Sequence, residues 1–231
     1  ISSSAVRGMA TRSARPPYWN DSSRSDGSMT DMGIDYIRNA TELAERGSSI
    51  GRLRIIPVMS AMSARTIHLR RQATLSILDT PFVPPTHLLD EIERRWAALQ
   101  ARNPAYFDGR LFHVLGVHRN GHGGAVLHVM ECAYRFFAVQ DDAFDVGVRP
   151  LGVKGVTFRI GKVLMGKRAD FVAAYAGFWE FAPSGGAEPG RSPTELIMAE
   201  LREETGLVSA TEPLPVAVLY DPLLRCWELV Y

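Results

Sequence analysis

Cysteine is scarce in this chain: only Cys132 and Cys226 occur among 231 residues. Two thiols are too few for a disulfide framework or a four-ligand zinc site, and they suit a reducing compartment such as the cytoplasm. Net charge is equally small, 26 basic against 25 acidic side chains. A chain so close to neutral has no global field to draw it to nucleic acid or to a membrane surface. Long apolar runs are missing too; none approaches the ~20 residues that a helix needs to span a bilayer. Of the six histidines, the four that fall close together match no metal-ligand spacing. These four, His113, His118, His122 and His128, are expected to be structural or solvent-exposed.

What remains is an ordinary globular composition, 46% hydrophobic and 22% charged, in a length suited to one or two domains. The chain opens on Ile1 and closes on Tyr231 inside a strand-like run, so an incomplete amino end and a C-terminally truncated fold are expected. Residues 1–60 are rich in Ser, Arg, Gly and Asp without sustained apolar periodicity. They hold too little apolar surface to offset ordering entropy, and disorder is expected there. An organelle leader is the alternative, but Asp21, Asp26, Asp31 and Asp35 count against it, because such leaders are poor in acids.

Residues 61–150 are expected to form an extension of one helix and a β-hairpin. Ile67 to Leu78 reads as an edge strand, and Pro81, Pro84 and Pro85 then break the chain. Thr86 to Arg102 spaces Leu88, Leu89, Ile92, Trp96 and Leu99 at helical intervals, a stripe expected to pack in a core. Strand-like runs from Leu111 to Val117 and from Ala125 to Val139 flank Asn120-Gly121-His122-Gly123-Gly124, a good hairpin turn. Residues 151–231 carry a sharper pattern. Val153 to Ile160 reads as a strand, Gly161 as a turn, and Val163 to Lys167 as its antiparallel partner. Phe178 to Phe181 is a further short strand, and Pro215 to Tyr220 and Cys226 to Tyr231 are two more around Asp221-Pro222.

The stretch from Ser184 to Leu207 carries the chemistry. A glycine-rich loop, Ser184-Gly185-Gly186, runs on toward a helix whose ends are written in its residues. Ser192 is placed to cap, Pro193 to begin the first turn and Glu195 to close a capping box, while Gly206 is placed to stop the helix. Thr194, Met198, Leu201 and Thr205 are expected to face the core, with Ile197 at the edge of that arc. Glu203 and Glu204 lie about 60° and 40° either side of Glu200 on the helical wheel. Three carboxylates on one stripe repel each other. A hard divalent cation such as Mg²⁺, with Mn²⁺ as the alternative, would relieve that repulsion; a solvated acidic face is the plain alternative.

In register, Gly185, Glu200, Leu201, Glu203, Glu204, Gly206 and Leu207 resemble the Nudix box, Gly-x5-Glu-x7-Arg-Glu-U-x-Glu-Glu-x-Gly-U, where U is bulky and aliphatic. Two positions depart from it: Arg191 stands in place of the loop glutamate and Ala199 in place of the arginine. The resemblance implies an α+β Nudix fold, a mixed sheet sandwiched between helices, over residues 151–231. It implies Mg²⁺-dependent hydrolysis of a pyrophosphate bond in a nucleoside diphosphate derivative. Glu200, Glu203 and Glu204 would be metal ligands, Glu203 and Glu204 the catalytic pair, with Glu203 as ligand or base and an acid on a later loop as the other candidate base, and a backbone carbonyl near Ser184 would complete the shell. Lys167, Arg168 and Arg191 are the cations that could meet substrate phosphate, the first two equally readable as surface charges. Arg191 could fold back toward Glu200 or Glu203 in place of the missing guanidinium, or compete with the cation for them. The upstream segment from Trp96 to Val139 resembles, loosely, the extra module of UDP-sugar-cleaving Nudix proteins. A catalytically weak Nudix module that binds a nucleotide or protein partner is the alternative, suggested by Arg191 and Ala199.

Overall fold

Lone charges inside apolar strands, and glycines where backbones touch, decide much of this architecture. The computed structural model describes residues 65–170, 172 and 174–231; the disorder expected over residues 1–60 lies outside them. In chain order the strands are β1 (Thr66–His68), β2 (Thr74–Leu78), β3 (Arg110–Arg119), β4 (Ala125–Ala133), β5 (Leu151–Lys154), β6 (Phe158–Arg159), β7 (Lys162–Val163), β8 (Met165–Lys167), β9 (Trp179–Phe181), β10 (Ser184–Gly186), β11 (Ala217–Asp221) and β12 (Cys226–Val230). The helices are α1 (Leu89–Arg102), entered through a 3-10 turn at Thr86–Leu88, α2 (Tyr134–Ala138) and α3 (Pro193–Thr205). No helix among the described residues is long and apolar enough to cross a membrane.

The fold is mixed α+β. Its larger sheet runs β1-β11-β12-β5-β10, antiparallel except where β12 lies parallel to β5. The second sheet is β2-β4-β3, with β2 parallel to β4, and the pairs β6-β7 and β8-β9 stand apart. Leu151, Val153, Val218 and Leu229 of the larger sheet, Phe112, Val114, Leu127 and Val129 of the second, and Leu196 and Ile197 of α3 form one buried cluster. A fully buried Leu or Val contributes about 1.5–3 kcal/mol, so this shared core fixes α3 on the sheet. The boundary expected at residue 150 falls where β5 begins, and the packing crosses it.

Of the expected elements, α1 follows its apolar stripe: Ile92 and Trp96 are buried against Tyr134, Phe136 and Phe137. Trp96 meets Tyr134 edge-on at 6.3 Å. The hairpin turn holds as well, because Asn120 Oδ1 accepts from the backbone N–H groups of His122 and Gly124.

Three expectations need correction. Ile67 to Leu78 divides into β1 and β2, at the edges of different sheets. The break comes where the Arg70 and Arg71 N–H groups turn to the Gly123 carbonyl, at 2.7 and 3.2 Å. The strand expected through Val139 ends at Ala133. There Asp108 Oδ1, remote in sequence, accepts the Arg135 N–H at 2.9 Å and starts α2.

Lastly, Val153 to Ile160 is not one strand. A Cβ at Gly155 would lie 2.6 Å from the Pro183 ring, so only glycine fits this crossing, and the strand ends before it. Beyond it, β6 and β7 pair around Ile160-Gly161, both left-handed at φ 50° and 68°. β8 pairs instead with β9.

Candidate functional site

Ser184, Gly185 and Gly186 were expected in a loop and instead form β10, antiparallel to β5 in the register Ser184↔Lys154 and Gly185↔Val153. β5 has β12 on one side only, and its other edge of buried N–H and C=O groups demands partners. β10 supplies them, and the Ala187 N–H extends the ladder to Leu151 O at 2.8 Å. The chain then turns at Gly190, φ 92°, toward the helix.

The helix ends fall where their residues place them. Ser192 Oγ accepts the Glu195 N–H at 3.2 Å and Glu195 Oε2 accepts the Ser192 N–H at 2.9 Å. Such a cap contributes about 1 kcal/mol. Gly206, left-handed at φ 70°, closes the C-terminus by donating its N–H to Arg202 O.

The buried face differs from the expected one. Leu196, Ile197, Glu200 and Leu201 are buried, whereas Thr194, Met198 and Thr205 are half-buried. The inward arc is thus rotated by about 100°, one residue step, toward the carboxylates. The reason lies in β10. Gly185 has no side chain, and Glu200 occupies the space: a Cβ there would lie 2.5 Å from Glu200 Oε1 and 2.6 Å from its Cδ.

The three glutamates therefore have three environments. Glu200 is 3% exposed against Gly185. Glu204, one turn on and half-buried, receives the Ser184 N–H in a long 3.4 Å contact through Oε1. Glu203 is exposed. Among the described residues, no group of three or more His, Cys, Asp or Glu side chains is gathered so that it could hold a metal ion. The carboxylate donors suit a hard cation in kind. Glu200 fills the space beside Gly185, and Glu204 meets the neighbouring Ser184 N–H. The donors are of the kind such an ion takes, but the three carboxylates do not gather around a single point.

The expected cations are dispersed. Arg191 pairs with Glu188 at 3.8 Å, both about 40% exposed. Lys167 is exposed at the end of β8. Arg168 turns inward, donating from Nη1 to Glu180 Oε1 at 2.7 Å and from Nε to Ala174 O at 3.0 Å. Ala199 is half-buried and brings no charge.

A polar cluster that sequence reasoning missed lies one strand away. Lys154 Nζ donates to Glu180 Oε2 at 2.8 Å and stands 3.6 Å from Glu228 Oε1. Tyr175 Oη donates toward the Asp221 carboxylate, 2.9 Å from Oδ2, beside buried Cys226. Burial alone would lower the Lys154 ammonium, but Glu228 and Glu180 outweigh it and raise its pKa. Burial opposes ionisation of Glu180 as well, and there Lys154 and Arg168 prevail and hold it below its ordinary value. For Glu228 burial wins over Lys154 and the pKa is raised. The signal was present in the sequence as single charges, Lys154 and Glu228, at positions whose neighbours Val153 and Leu229 are fully apolar. No protein-family model matches the chain, and no curated protein does either.

Proposed function

We propose that residues 185–207 act as a Nudix box on a Nudix-type fold. On this reading the protein hydrolyses a pyrophosphate bond in a nucleoside diphosphate derivative, nucleotide sugars included, in the presence of Mg²⁺ or Mn²⁺. The observation that supports this most is the approach of Glu200 and Glu204 to the backbone of Ser184 and Gly185. It puts hard oxygen donors from two consecutive helical turns beside a glycine-bearing strand.

Glu200 and Glu204 would hold the cation, with Glu203 joining them or taking the proton of the attacking water. A bound divalent ion supplies neutralisation of phosphate charge and orientation of water toward phosphorus. Gly185 leaves room for the Glu200 carboxylate, and the cap at Ser192 fixes the helix that carries all three acids. Lys167, exposed at the end of β8, can offset the charge of a phosphate approaching from solvent. Water adding to phosphorus breaks the P–O–P bridge and leaves two phosphate-bearing products.

A catalytically weak module that binds a nucleotide or a protein partner is the second reading. Ala199 favours it, as does the pairing of Arg191 with Glu188 outside the trio. Nucleoside diphosphate sugars, dinucleoside polyphosphates and nucleoside triphosphates, each assayed with Mg²⁺ and with chelator, separate the two. Metal-dependent release of phosphate-bearing products supports the enzyme; ligand binding without turnover supports the module.

Arg191→Glu tests whether the loop guanidinium supports the acids. An exposed pair contributes at most about 1 kcal/mol, so stability should change by less than that. Mg²⁺ affinity, measured by titration calorimetry, is expected to hold or improve. A weaker affinity would show that Arg191 supports the glutamates.

A further inference from the structure

Near-neutral overall charge conceals a local segregation. Between residues 65 and 78, and again between 109 and 130, there is no Asp or Glu at all. Within those segments lie Arg70, Arg71, Arg119, His118, His122 and His128. The fold brings the two segments together: the Arg70 and Arg71 N–H groups donate to Gly123 O, and a Cβ at Gly123 would lie 3.3 Å from the Arg70 Cβ. Arg70, Arg71, His118, Arg119 and His122 are all exposed.

Elsewhere among the described residues Arg94, Arg95, Arg110, Arg135, Arg149, Arg168, Arg191 and Arg225 stand in ion pairs, and the unpaired Arg65, Arg102, Arg159 and Arg202 are scattered along the chain. At the opposite end of the hairpin Arg110 meets Glu131 at 2.7 Å, and Arg135 meets Asp108 at 3.2 Å. Arg70, Arg71 and Arg119, by contrast, make no ion pair with any described residue. Their charge is left facing solvent on a turn that Asn120 holds rigid through two backbone hydrogen bonds. Next to Arg119, the rings of His118 and His128 stack 5.2 Å apart at 26°.

We propose that the Arg70-Arg71 turn and the tip of the β3-β4 hairpin form a binding surface for single-stranded nucleic acid. Guanidinium forks match phosphate oxygens, and a cationic surface beside planar rings is the combination that follows an unpaired strand, charge on its backbone and rings under its bases. The turn and the hairpin tip, residues 70–72 and 118–124, contain no large apolar side chain for insertion into a bilayer, which disfavours a lipid surface. The patch is separate from the glutamates. Phe112, whose N–H reaches Ala187 O, is seven residues from Arg119 along β3, roughly 23 Å of strand.

Fluorescence anisotropy of the full chain with a labelled 20-nucleotide RNA of mixed sequence, over 50–300 mM NaCl, tests this. Micromolar binding at 50 mM salt is expected. R70A/R71A/R119A should weaken it at least tenfold and lower the slope of log affinity against log salt by about 2, some 0.7 for each lost phosphate contact on a single strand. R94A/R102A/R159A removes the same charge elsewhere and should leave the affinity within about twofold. Absence of binding at 50 mM salt, equal losses in the two triple variants, or binding to phosphatidylserine vesicles but not to RNA would each overturn the proposal.

Discussion

Lys154→Met is expected to destabilise the protein by about 3–5 kcal/mol in urea denaturation at pH 7, the largest effect expected of any single substitution. Breaking a buried ion pair from one side leaves uncompensated charge in the interior, and that loss exceeds the net worth of the intact pair. Here one ammonium, 16% exposed, serves two carboxylates that are 13% and 8% exposed. Arg168 would still hold Glu180, but Glu228 would lose its only cation among the described ion pairs.

The pH dependence follows from the signs. Glu180, held below its unfolded value near 4.5, contributes stability that is present above that pH and is lost as pH falls through its folded value. Lys154, raised above 10.5, contributes stability that is present below that pH and is lost as pH rises through the folded value. Glu228, raised by burial, works the other way: its ionisation weakens the fold as pH rises above 4.5. In Lys154→Met both carboxyls lose a cation and shift upward. The deficit of the variant should therefore shrink as pH falls, beginning above pH 4.5 as Glu228 takes up its proton and continuing as Glu180 takes up its own. Lys154→Met with Glu228→Leu should recover much of the loss at pH 7, since packed apolar residues replace buried pairs well. A deficit that neither acid nor the second substitution relieves would point to lost packing rather than unpaired charge.

The second large effect belongs to Gly185→Ala. The new methyl would stand 2.5 to 2.8 Å from three successive atoms of Glu200, a side chain 3% exposed and hemmed in by the sheet. Overpacking of this kind usually costs about 1–3 kcal/mol. The relief available is movement of Glu200, and with it of α3, away from β10. Stability should fall by that amount, and metal-dependent turnover by at least about tenfold. Adding Glu200→Ala to the same chain removes the clash, so folding should recover while turnover does not. Turnover that survives Gly185→Ala unchanged would separate the Glu200–Gly185 contact from the chemistry.

Local signals were legible in the sequence wherever the physics is local. The capping box at Ser192 and Glu195, the stop at Gly206, the turn at Asn120–Gly124 and the stripe of α1 all depend on residues within a few positions of one another. What escaped depends on distant chain. Asp108 starts a helix 27 residues away. Pro183 forces the end of β5 at Gly155, and β12 joins β5 in parallel through no short connection. The helical wheel set Glu200, Glu203 and Glu204 on one stripe of α3. It could not say that a glycine on β10 would admit Glu200 to the interior and leave Glu203 outside. The same limit hid the Lys154 cluster, whose members come from β5, the segment between β8 and β9, β9, β11 and β12. Its one local trace was a charge in an apolar strand.

Turnover across an Mg²⁺ titration tests most directly whether Glu200, Glu203 and Glu204 act together through a divalent cation. With a substrate found in the screen, the unaltered chain should show saturable Mg²⁺ dependence and lose activity to chelator. Glu203→Gln with Glu204→Gln keeps size and removes charge, so folding should persist while kcat/KM falls at least about a hundredfold at every Mg²⁺ concentration. Turnover unchanged in that double variant, or independent of Mg²⁺ in the unaltered chain, would contradict the account.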